Sequence, residues 1–159
     1  MPGIDPLGAN DTGCNQPNNS VSDRACTPST TVVGFMGGRG NYPSYASNYT
    51  ALNYSETVRV RYDAQQLSYA DLLAGVFFKY APGLDYPQED VAYRLRLFAT
   101  SSQQHQVATT LLEQQRRALN ATRLYVELYN ASDWEFWKAS EEHQNFEFKA
   151  GTQCGMHAG

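Results

Sequence analysis

Alternating apolar and polar side chains predict three β-strands in this chain. A period of two places the apolar residues on one face of a strand and leaves the other face in water. We therefore expect each strand to bury its apolar positions. These positions are Val58, Val60 and Tyr62 in the first strand, Tyr93, Leu95 and Leu97 in the second, and Leu124, Val126 and Leu128 in the third.

Two segments with a helical period separate these strands. Ser68 stands three residues before Asp71, a pattern typical of a helix N-terminus, and Pro82-Gly83 ends that apolar run. A longer helix is expected after Ser101-Ser102. The apolar positions are Leu72, Leu73, Val76, Phe77 and Tyr80 in the first helix and Val107, Ala108, Leu111, Leu112, Ala118 and Leu119 in the second. The order strand-helix-strand-helix-strand predicts an α+β fold, with a mixed sheet layered against helices.

The other segments show neither period and are predicted to be irregular. Twenty of the first 30 residues are Pro, Gly, Ser, Thr, Asn or Asp, so this segment cannot bury a continuous face. Four glycines within residues 34–40 predict a turn, and the pattern of a phosphate-binding loop is absent there. Residues 134–148 are interpreted as an irregular aromatic tail.

Length and composition restrict the class of protein. With 159 residues, of which 42% are hydrophobic, the chain can form one core. The net charge of -4 argues against binding to nucleic acid or anionic lipid, since both need a cationic surface. The longest nearly uncharged apolar stretch, residues 72–78, is far shorter than the roughly 20 residues that span a bilayer, so we expect no membrane span. The first residues lack the basic and apolar regions of a signal peptide.

Thiols are the remaining candidates for nucleophilic chemistry. The three histidines are too scattered along the sequence to predict a metal site, and no G-x-S-x-G nucleophile motif is present. Cys154 lies in a small, glycine-rich segment that could swing toward another sulfur. The alternative is a free cysteine in a disordered terminus.

A carboxylic acid follows a group of phenols. Tyr42, Tyr45, Tyr49 and Tyr54 precede Glu56 within a short stretch. In a partly dry pocket such a carboxyl group would have a raised pKa and could donate a proton to a substrate oxygen. The alternative is that these tyrosines only pack at the edge of the core.

Several short motifs in the same order resemble the type A peptide methionine sulfoxide reductases, over about residues 32–155. The family carries G-Y-x-G-G, P-T-Y, H-A-E-x-V-x-V-x-Y-D, I-S-Y-x-x-L-L, Q-Y-R-S, A-E-D-x-H-Q and a terminal Y-C-G. The matching segments are Gly34-Phe35-Met36-Gly37-Gly38, Pro43-Ser44-Tyr45, Ser55-Glu56-Thr57-Val58-Arg59-Val60-Arg61-Tyr62-Asp63, Leu67-Ser68-Tyr69, Tyr93-Arg94, Ala139-Ser140-Glu141-Glu142-His143-Gln144 and Cys154-Gly155.

The resemblance implies a ferredoxin-like two-layer core and a thiol mechanism. Cys14 would attack the sulfoxide sulfur and become a sulfenic acid, while Glu56, Tyr45 and Tyr93 would protonate the departing oxygen. Cys154 would then form a disulfide with Cys14. The implied substrate is methionine-S-sulfoxide, free or in peptides, the implied reductant is thioredoxin-like, and no bound cofactor is needed.

The resemblance also implies the domain limits. We expect an irregular segment over residues 1–31, the reductase-like domain over residues 32–155, and a short tail over residues 156–159.

The segment that follows Cys14 leaves alternatives open. Cys14 stands 20 residues before Gly34, near the family's spacing, but residues 15–19 are Asn, Gln and Pro where the family has Phe-Trp. Cys26 is an alternative nucleophile or a disulfide partner of Cys14. The chain could also be a catalytically impaired, peptide-binding protein of the same fold, or a fragment with a non-native N-terminus.

Six N-x-[ST] motifs bear on localisation. They start at Asn10, Asn18, Asn48, Asn53, Asn120 and Asn130. The number favours the secretory pathway or an extracellular location. A cytoplasmic location is the alternative, because such motifs also arise from a composition rich in Asn and Ser.

Overall fold

A computed structural model describes residues 31–46, 49–81 and 83–145. All three cysteines and residues 1–30 of the predicted irregular segment therefore lie outside the described residues, and Thr31, also predicted to be irregular, is the first residue of strand β1. The elements, in order, are strand β1 (Thr31–Met36), strand β2 (Ser55–Val60), helix α1 (Tyr69–Leu72), a π-helical segment (Leu73–Phe77), helix α2 (Phe78–Tyr80), a 3-10 turn (Val91–Tyr93), strand β3 (Leu95–Ala99), helix α3 (Ser102–Ala118), strand β4 (Val126–Asn130), a 3-10 turn (Ala131–Asp133), strand β5 (Trp137–Lys138) and a 3-10 turn (Glu141–His143). None of the helices in these ranges is long and apolar enough to cross a membrane.

The strands form two sheets, and the α+β fold class is confirmed. One sheet is antiparallel with the order β2-β1-β5, and the other is a parallel pair of β3 and β4. In the first sheet Phe35 lies opposite Glu56 on one side and Trp137 on the other. In the second sheet Leu97 pairs with Leu128. The connection between β3 and β4 contains α3, as a parallel pair requires a crossover.

The segments around β3, α3 and β4 were predicted correctly in type. Ser101 caps α3, because its Oγ accepts a hydrogen bond from the Gln104 N–H at 3.1 Å. Leu73, Leu97 and Ala108 form the buried centre of the helical layer. The boundaries differ from the prediction, since Tyr93 lies in a 3-10 turn and Leu124 precedes β4.

Strand β1 corrects the predicted turn over residues 34–36. Gly34 is a strand residue, and a Cβ there would collide with the Trp137 carbonyl oxygen and the Phe136 ring. Glycine at this position therefore permits the close approach of β5. The turn begins at Gly37, whose φ of +82° is in the left-handed region.

Strand β2 is present, but the predicted burial of its apolar side chains is wrong. Val58 is 56% exposed, and Val60 is also exposed. Ser55, on the opposite face, is buried, and its Oγ donates a hydrogen bond to the Val91 carbonyl oxygen at 2.9 Å. The face that packs inward is therefore the one that carries the small and polar residues. Among the described residues, β2 pairs only with β1.

The first predicted helix is present, but a π-helical segment divides it. Ser68 is the N-cap, with its Oγ accepting from the Asp71 N–H at 3.0 Å. After it, Val76 and Tyr80 are 52% and 71% exposed, contrary to the prediction. A π turn contains more residues than an α turn, so the positions after it rotate away from the predicted stripe. Phe77 packs against the helical core as predicted, and Phe78, which was not predicted, packs there too.

A buried arginine joins the two sheets. The Arg96 side chain on β3 is only 2% exposed. Its Nε donates to Glu127 Oε2 on the neighbouring strand at 2.6 Å, and its Nη1 donates to the Asn53 carbonyl oxygen at 2.8 Å. Because Asn53 lies just before β2, this one guanidinium connects the parallel pair to the antiparallel sheet.

The predicted irregular tail is corrected at Trp137–Lys138, because these two residues form β5 and pair with β1. Beyond β5, the Gln144 side chain continues the pairing. Its Oε1 accepts from the Val33 N–H at 2.9 Å, and its Nε2 donates to the carbonyl oxygens of Val33 at 2.8 Å and Ala139 at 2.9 Å. The Gln144 amide therefore satisfies the backbone groups of β1 where a strand would otherwise do so.

We predict that Gln144→Leu lowers the free energy of unfolding by about 2 to 4 kcal/mol, because the Val33 N–H and Ala139 carbonyl groups lose their partner. The measurement is urea unfolding followed by circular dichroism. The control is Gln114→Leu on an exposed position of α3, with an expected change within about 0.5 kcal/mol. Equal stability of the two variants would contradict the structural role of Gln144.

Candidate functional site

An aromatic group on one face of the antiparallel sheet is the candidate site. Phe35 lies at its centre and is almost fully buried. Its ring centroid lies 4.9 Å from that of Tyr45 and 4.9 Å from that of Tyr49. We call this group the Phe35 cluster, and it comprises Phe35, Tyr54, Ala139, Val33, Tyr45, Tyr49 and Trp137. Its position follows from β1, because Val33 and Phe35 are two residues apart in the strand and their side chains therefore lie on the same face.

A carboxylate and a phenol meet at the edge of the Phe35 cluster. Glu56 is directly opposite Phe35 in the β1–β2 register, so the two side chains leave the same face of the sheet. The Tyr49 hydroxyl donates a hydrogen bond to Glu56 Oε1 at 3.0 Å. Glu56 is exposed, so the partly dry pocket that the sequence analysis expected around this carboxyl group is wrong, and this edge is open to a substrate.

The same surroundings keep the phenols protonated. Burial raises the pKa of Tyr45, and the Glu56 charge and a hydrogen bond to Glu56 raise it further. Burial also raises the pKa of Tyr49, followed by its hydrogen bond to Glu56. Both groups are consequently neutral at physiological pH and serve as hydrogen-bond donors beside the carboxylate.

Tyr45 also contacts the C-terminal part of the described chain. Its ring centroid lies 4.1 Å from that of His143. The Nε2 atom of His143 is 3.5 Å from Glu142 Oε1. The adjacent Gln144, bound to β1, fixes the position of this histidine relative to the cluster.

Tyr93 lies in a separate turn that contacts β2. It is 66% exposed and belongs to the 3-10 turn Val91–Tyr93. Ser55, the residue before Glu56 on β2, binds this turn by donating a hydrogen bond to the Val91 carbonyl oxygen. The Asp90 side chain caps the turn by accepting from the Ala92 N–H at 2.9 Å.

The structure brings only some of the predicted site residues together. Tyr45 and Glu56 meet at the Phe35 cluster, and Tyr93 lies in the turn bound to Ser55. Cys14 and Cys154 lie outside the described residues. Tyr49 and His143 were not among the predicted site residues, although Tyr49 belongs to the tyrosine group and His143 to the A-E-D-x-H-Q match. Among the described residues, no three His, Cys, Asp or Glu side chains are placed to hold a metal ion.

Comparison with known families supplies the identification. Residues 12–158 match the family described as peptide methionine sulfoxide reductase. The chain belongs to this family. The resemblance to the type A reductases is thus confirmed, and the match includes the positions of Cys14 and Cys154.

Two reductases illustrate the relation in sequence. The chain is 28% identical over 131 residues to peptide methionine sulfoxide reductase MsrA of Mycolicibacterium gilvum, covering 79% of this chain and 75% of the relative. It is 30% identical over 125 residues to peptide methionine sulfoxide reductase A2 of Arabidopsis thaliana, covering 76% of this chain and 56% of the relative. The chain therefore spans little more than half the length of the plant protein.

Two solved structures share the fold. Methionine sulfoxide reductase A of Corynebacterium diphtheriae superposes with a TM-score of 0.65 at 29% identity, over 80% of this chain and 66% of that chain. Reduced Mxr1 of Saccharomyces cerevisiae gives a TM-score of 0.63 at 19% identity, over 77% of this chain and 72% of that chain, and supports the fold alone.

We predict that the tyrosine pair makes this reductase-family domain less stable at alkaline pH. The folded-state pKa of Tyr49 is raised above the unfolded value of about 10, so its contribution to stability is present below pH 10 and is lost as the pH rises toward the folded-state value. Tyr49→Phe should flatten the fall of Tm above pH 10. Tyr80→Phe, on an exposed ring, controls for the loss of one phenol. Parallel Tm profiles for wild type and Tyr49→Phe would contradict this prediction.

Proposed function

We propose that this chain reduces methionine-S-sulfoxide, free or in peptides, to methionine. The observation that carries the proposal is the Tyr49–Glu56 hydrogen bond of 3.0 Å at the open edge of the Phe35 cluster, in a chain of this family. The neutral phenols of Tyr45 and Tyr49 can donate hydrogen bonds to a sulfoxide oxygen, and the exposed Glu56 carboxylate can take up a proton from solvent and pass it to that oxygen.

In the first step, the Cys14 thiolate attacks the sulfoxide sulfur. The sulfur–oxygen bond breaks, the oxygen passes to Cys14 with one added proton, and the products are the thioether and a Cys14 sulfenic acid. Methionine sulfoxide is thereby reduced by two electrons, and the cysteine is oxidised by two. Cys14 is assigned from its spacing to Gly34, because the matched residues 12–158 include Cys26 as well.

Glu56 supplies the proton in this step, and Tyr45 with Tyr49 holds the oxygen. Tyr49 already donates to Glu56, so a substrate oxygen at this edge would replace or share that hydrogen bond. Tyr93, which is exposed in a turn that contacts β2, is proposed as a third donor because the resemblance implies this role. Donors fixed by packing before the reaction stabilise the charge that develops on the oxygen.

Aromatic rings beside the carboxylate offer a surface for the methyl group. Trp137 and Glu56 flank Phe35 on its two sides, and two strand spacings of about 4.8 Å separate them. The exposed Tyr42 ring lies 5.1 Å from the Trp137 ring. This surface supports thioether binding in a chain whose residues 15–19 lack the family's Phe-Trp.

In the second step, the Cys154 thiol attacks the Cys14 sulfenic acid. A disulfide forms and water leaves. A thioredoxin-like dithiol then reduces the disulfide by exchange, which restores both thiols. The domain that carries this chemistry is proposed to extend over residues 32–155, with Cys14 contributed from the preceding segment.

A second candidate is a peptide-binding protein of the same fold without turnover. The polar residues 15–19 favour it, because they cannot enclose a methyl group as Phe-Trp would. In that case the Phe35 cluster would bind a sulfoxide-containing peptide, and the thiols would remain reduced.

We predict that Glu56→Gln reduces turnover of methionine-S-sulfoxide by about 100-fold, because the variant keeps the shape but cannot deliver an acidic proton. Methionine formation is measured with excess dithiothreitol. Glu113→Gln makes the same change on α3, outside the Phe35 cluster, and should leave the rate unchanged. An unchanged rate in Glu56→Gln, with a normal Tm, would remove Glu56 from the site.

We also predict that one equivalent of methionine-S-sulfoxide forms a Cys14–Cys154 disulfide, located by peptide mapping. Cys14→Ser should abolish the oxidation, whereas Cys26→Ser should leave it intact. A requirement for Cys26 instead of Cys14 would show that the nucleophile is assigned wrongly. Free thiols throughout, together with peptide binding, would favour the second candidate.

A further inference from the structure

Tyr42 carries an exposed ring on a backbone conformation that tyrosine rarely adopts. The residue is 79% exposed, and its φ of +58° lies in the left-handed region. A bulky side chain is unfavourable there, because its Cβ atom approaches the following carbonyl oxygen. Pro43 adds a second restriction, since the residue before a proline prefers extended backbone. Burial of the ring does not offset this cost, because most of the residue is in contact with water.

The loop that leads to Tyr42 is held in place by hydrogen bonds to the end of the hairpin. The Arg39 N–H donates to the Leu52 carbonyl oxygen at 2.9 Å. The buried Tyr54 side chain donates from its hydroxyl to the Gly40 carbonyl oxygen at 2.6 Å. Neighbouring contacts therefore maintain the unfavourable backbone of Tyr42. Strain of this kind, kept by its surroundings and not repaid by burial, is typical of residues that contact a ligand.

The Tyr42 ring extends a row of side chains that crosses the antiparallel sheet. Glu56, Phe35 and Trp137 lie directly opposite one another on β2, β1 and β5, so their side chains leave the same face. The Tyr42 ring is edge-on to the Trp137 ring, and the two centroids are 5.1 Å apart. The row therefore has the carboxylate at one end and the exposed Tyr42 ring beside Trp137 at the other.

The length of this row corresponds to several residues of a peptide. Two strand spacings of about 4.8 Å each separate Glu56 from Trp137. An extended chain advances by about 3.3 Å per residue, so roughly three residues cover that distance. With a sulfoxide oxygen at Glu56, the end of the row at Tyr42 is reached by further residues of an extended peptide.

We propose that Tyr42 is a specificity-determining residue, which contacts an apolar side chain about three residues from the methionine sulfoxide of a peptide. The inference rests on the proposed function, because it takes the edge at Glu56 as the sulfoxide site. An exposed tyrosine ring offers a large surface to apolar and aromatic side chains. The fixed backbone holds this ring in position before a peptide arrives, which lowers the cost of ordering on binding.

The probes are three ligands that present different groups to Tyr42. The first is N-acetyl-methionine-S-sulfoxide amide. The second is a heptapeptide with methionine-S-sulfoxide at its centre and glycine elsewhere, and the third has phenylalanine in place of both terminal glycines. Binding is measured by calorimetry with the full chain in which all three cysteines are replaced by serine. Turnover is measured with the unchanged chain and excess dithiothreitol.

We expect the phenylalanine peptide to bind about threefold to tenfold more tightly than the glycine peptide, which is the effect of one aromatic contact. The ratio of the two kcat/KM values should shift in the same direction. Tyr42→Asn removes the ring and suits the left-handed backbone, so it should bring the ratio of affinities close to one. Tyr42→Phe keeps the ring and should retain the preference. Tyr80→Asn removes a ring of similar exposure outside the Phe35 cluster and should also retain it.

The inference would be overturned by equal affinity for the two heptapeptides, by binding of neither, or by a preference that persists in Tyr42→Asn. Turnover of N-acetyl-methionine-S-sulfoxide amide in any of these cases would leave the proposed function standing. Conversely, a preference that depends on Tyr42, without turnover of any probe, would reject the proposed reaction and retain the peptide contact. If Tyr42→Asn does not fold, nuclear Overhauser contacts between the peptide phenylalanine and the Tyr42 ring provide the decision, and their absence overturns the inference.

Discussion

The hydrogen bonds between the Gln144 side chain and the Val33 peptide group hold the candidate site together. Strand β5 has only two residues, so most of β1 would lack a partner on that side. The Gln144 amide accepts and donates as a backbone peptide does, and it extends the pairing with a single side chain. Because the interaction joins positions 111 residues apart, it also fixes where the segment after β5 lies over the sheet. His143 rests against Tyr45 for this reason.

The site thus depends on the strand beneath it. Phe35 supplies the floor, and β2 and β5 bring Glu56 and Trp137 to its two sides. Arg96 adds the second long-range connection, since it holds the end of the β1–β2 hairpin to the parallel pair. Both connections use side-chain donors and acceptors where regular sheet pairing stops. Such a site needs few strands and helices, because the side-chain hydrogen bonds of Gln144 and Arg96 help the short strands to hold the site residues in position.

Local periodicity was sufficient to predict the type of β3, α3 and β4. In these elements the apolar residues repeat at the spacing of the strand or helix and pack against one another. It failed at β1, because Gly34 resembles a turn residue in the sequence and is a strand residue only when β5 approaches. It also failed for Val58, since the burial of a strand face depends on what covers it. The carboxylate Glu56 and the partner Tyr45 could be predicted from motifs. Tyr49 could not be distinguished from its neighbours, because the choice depends on the register of β1 and β2.

The π-helical segment has a consequence for comparing this chain with its relatives. Gly75 lies within it, and a Cβ at this position would contact nothing within 4 Å. The wider turn therefore accommodates its additional residue on the solvent side, while Leu73 at its start and Phe78 directly after it both pack inward. Because of the additional residue, the side chains before and after Gly75 do not follow one continuous 3.6-residue repeat. In an alignment, a one-residue gap at Gly75 is physically reasonable, and equivalence should be assigned separately before and after it.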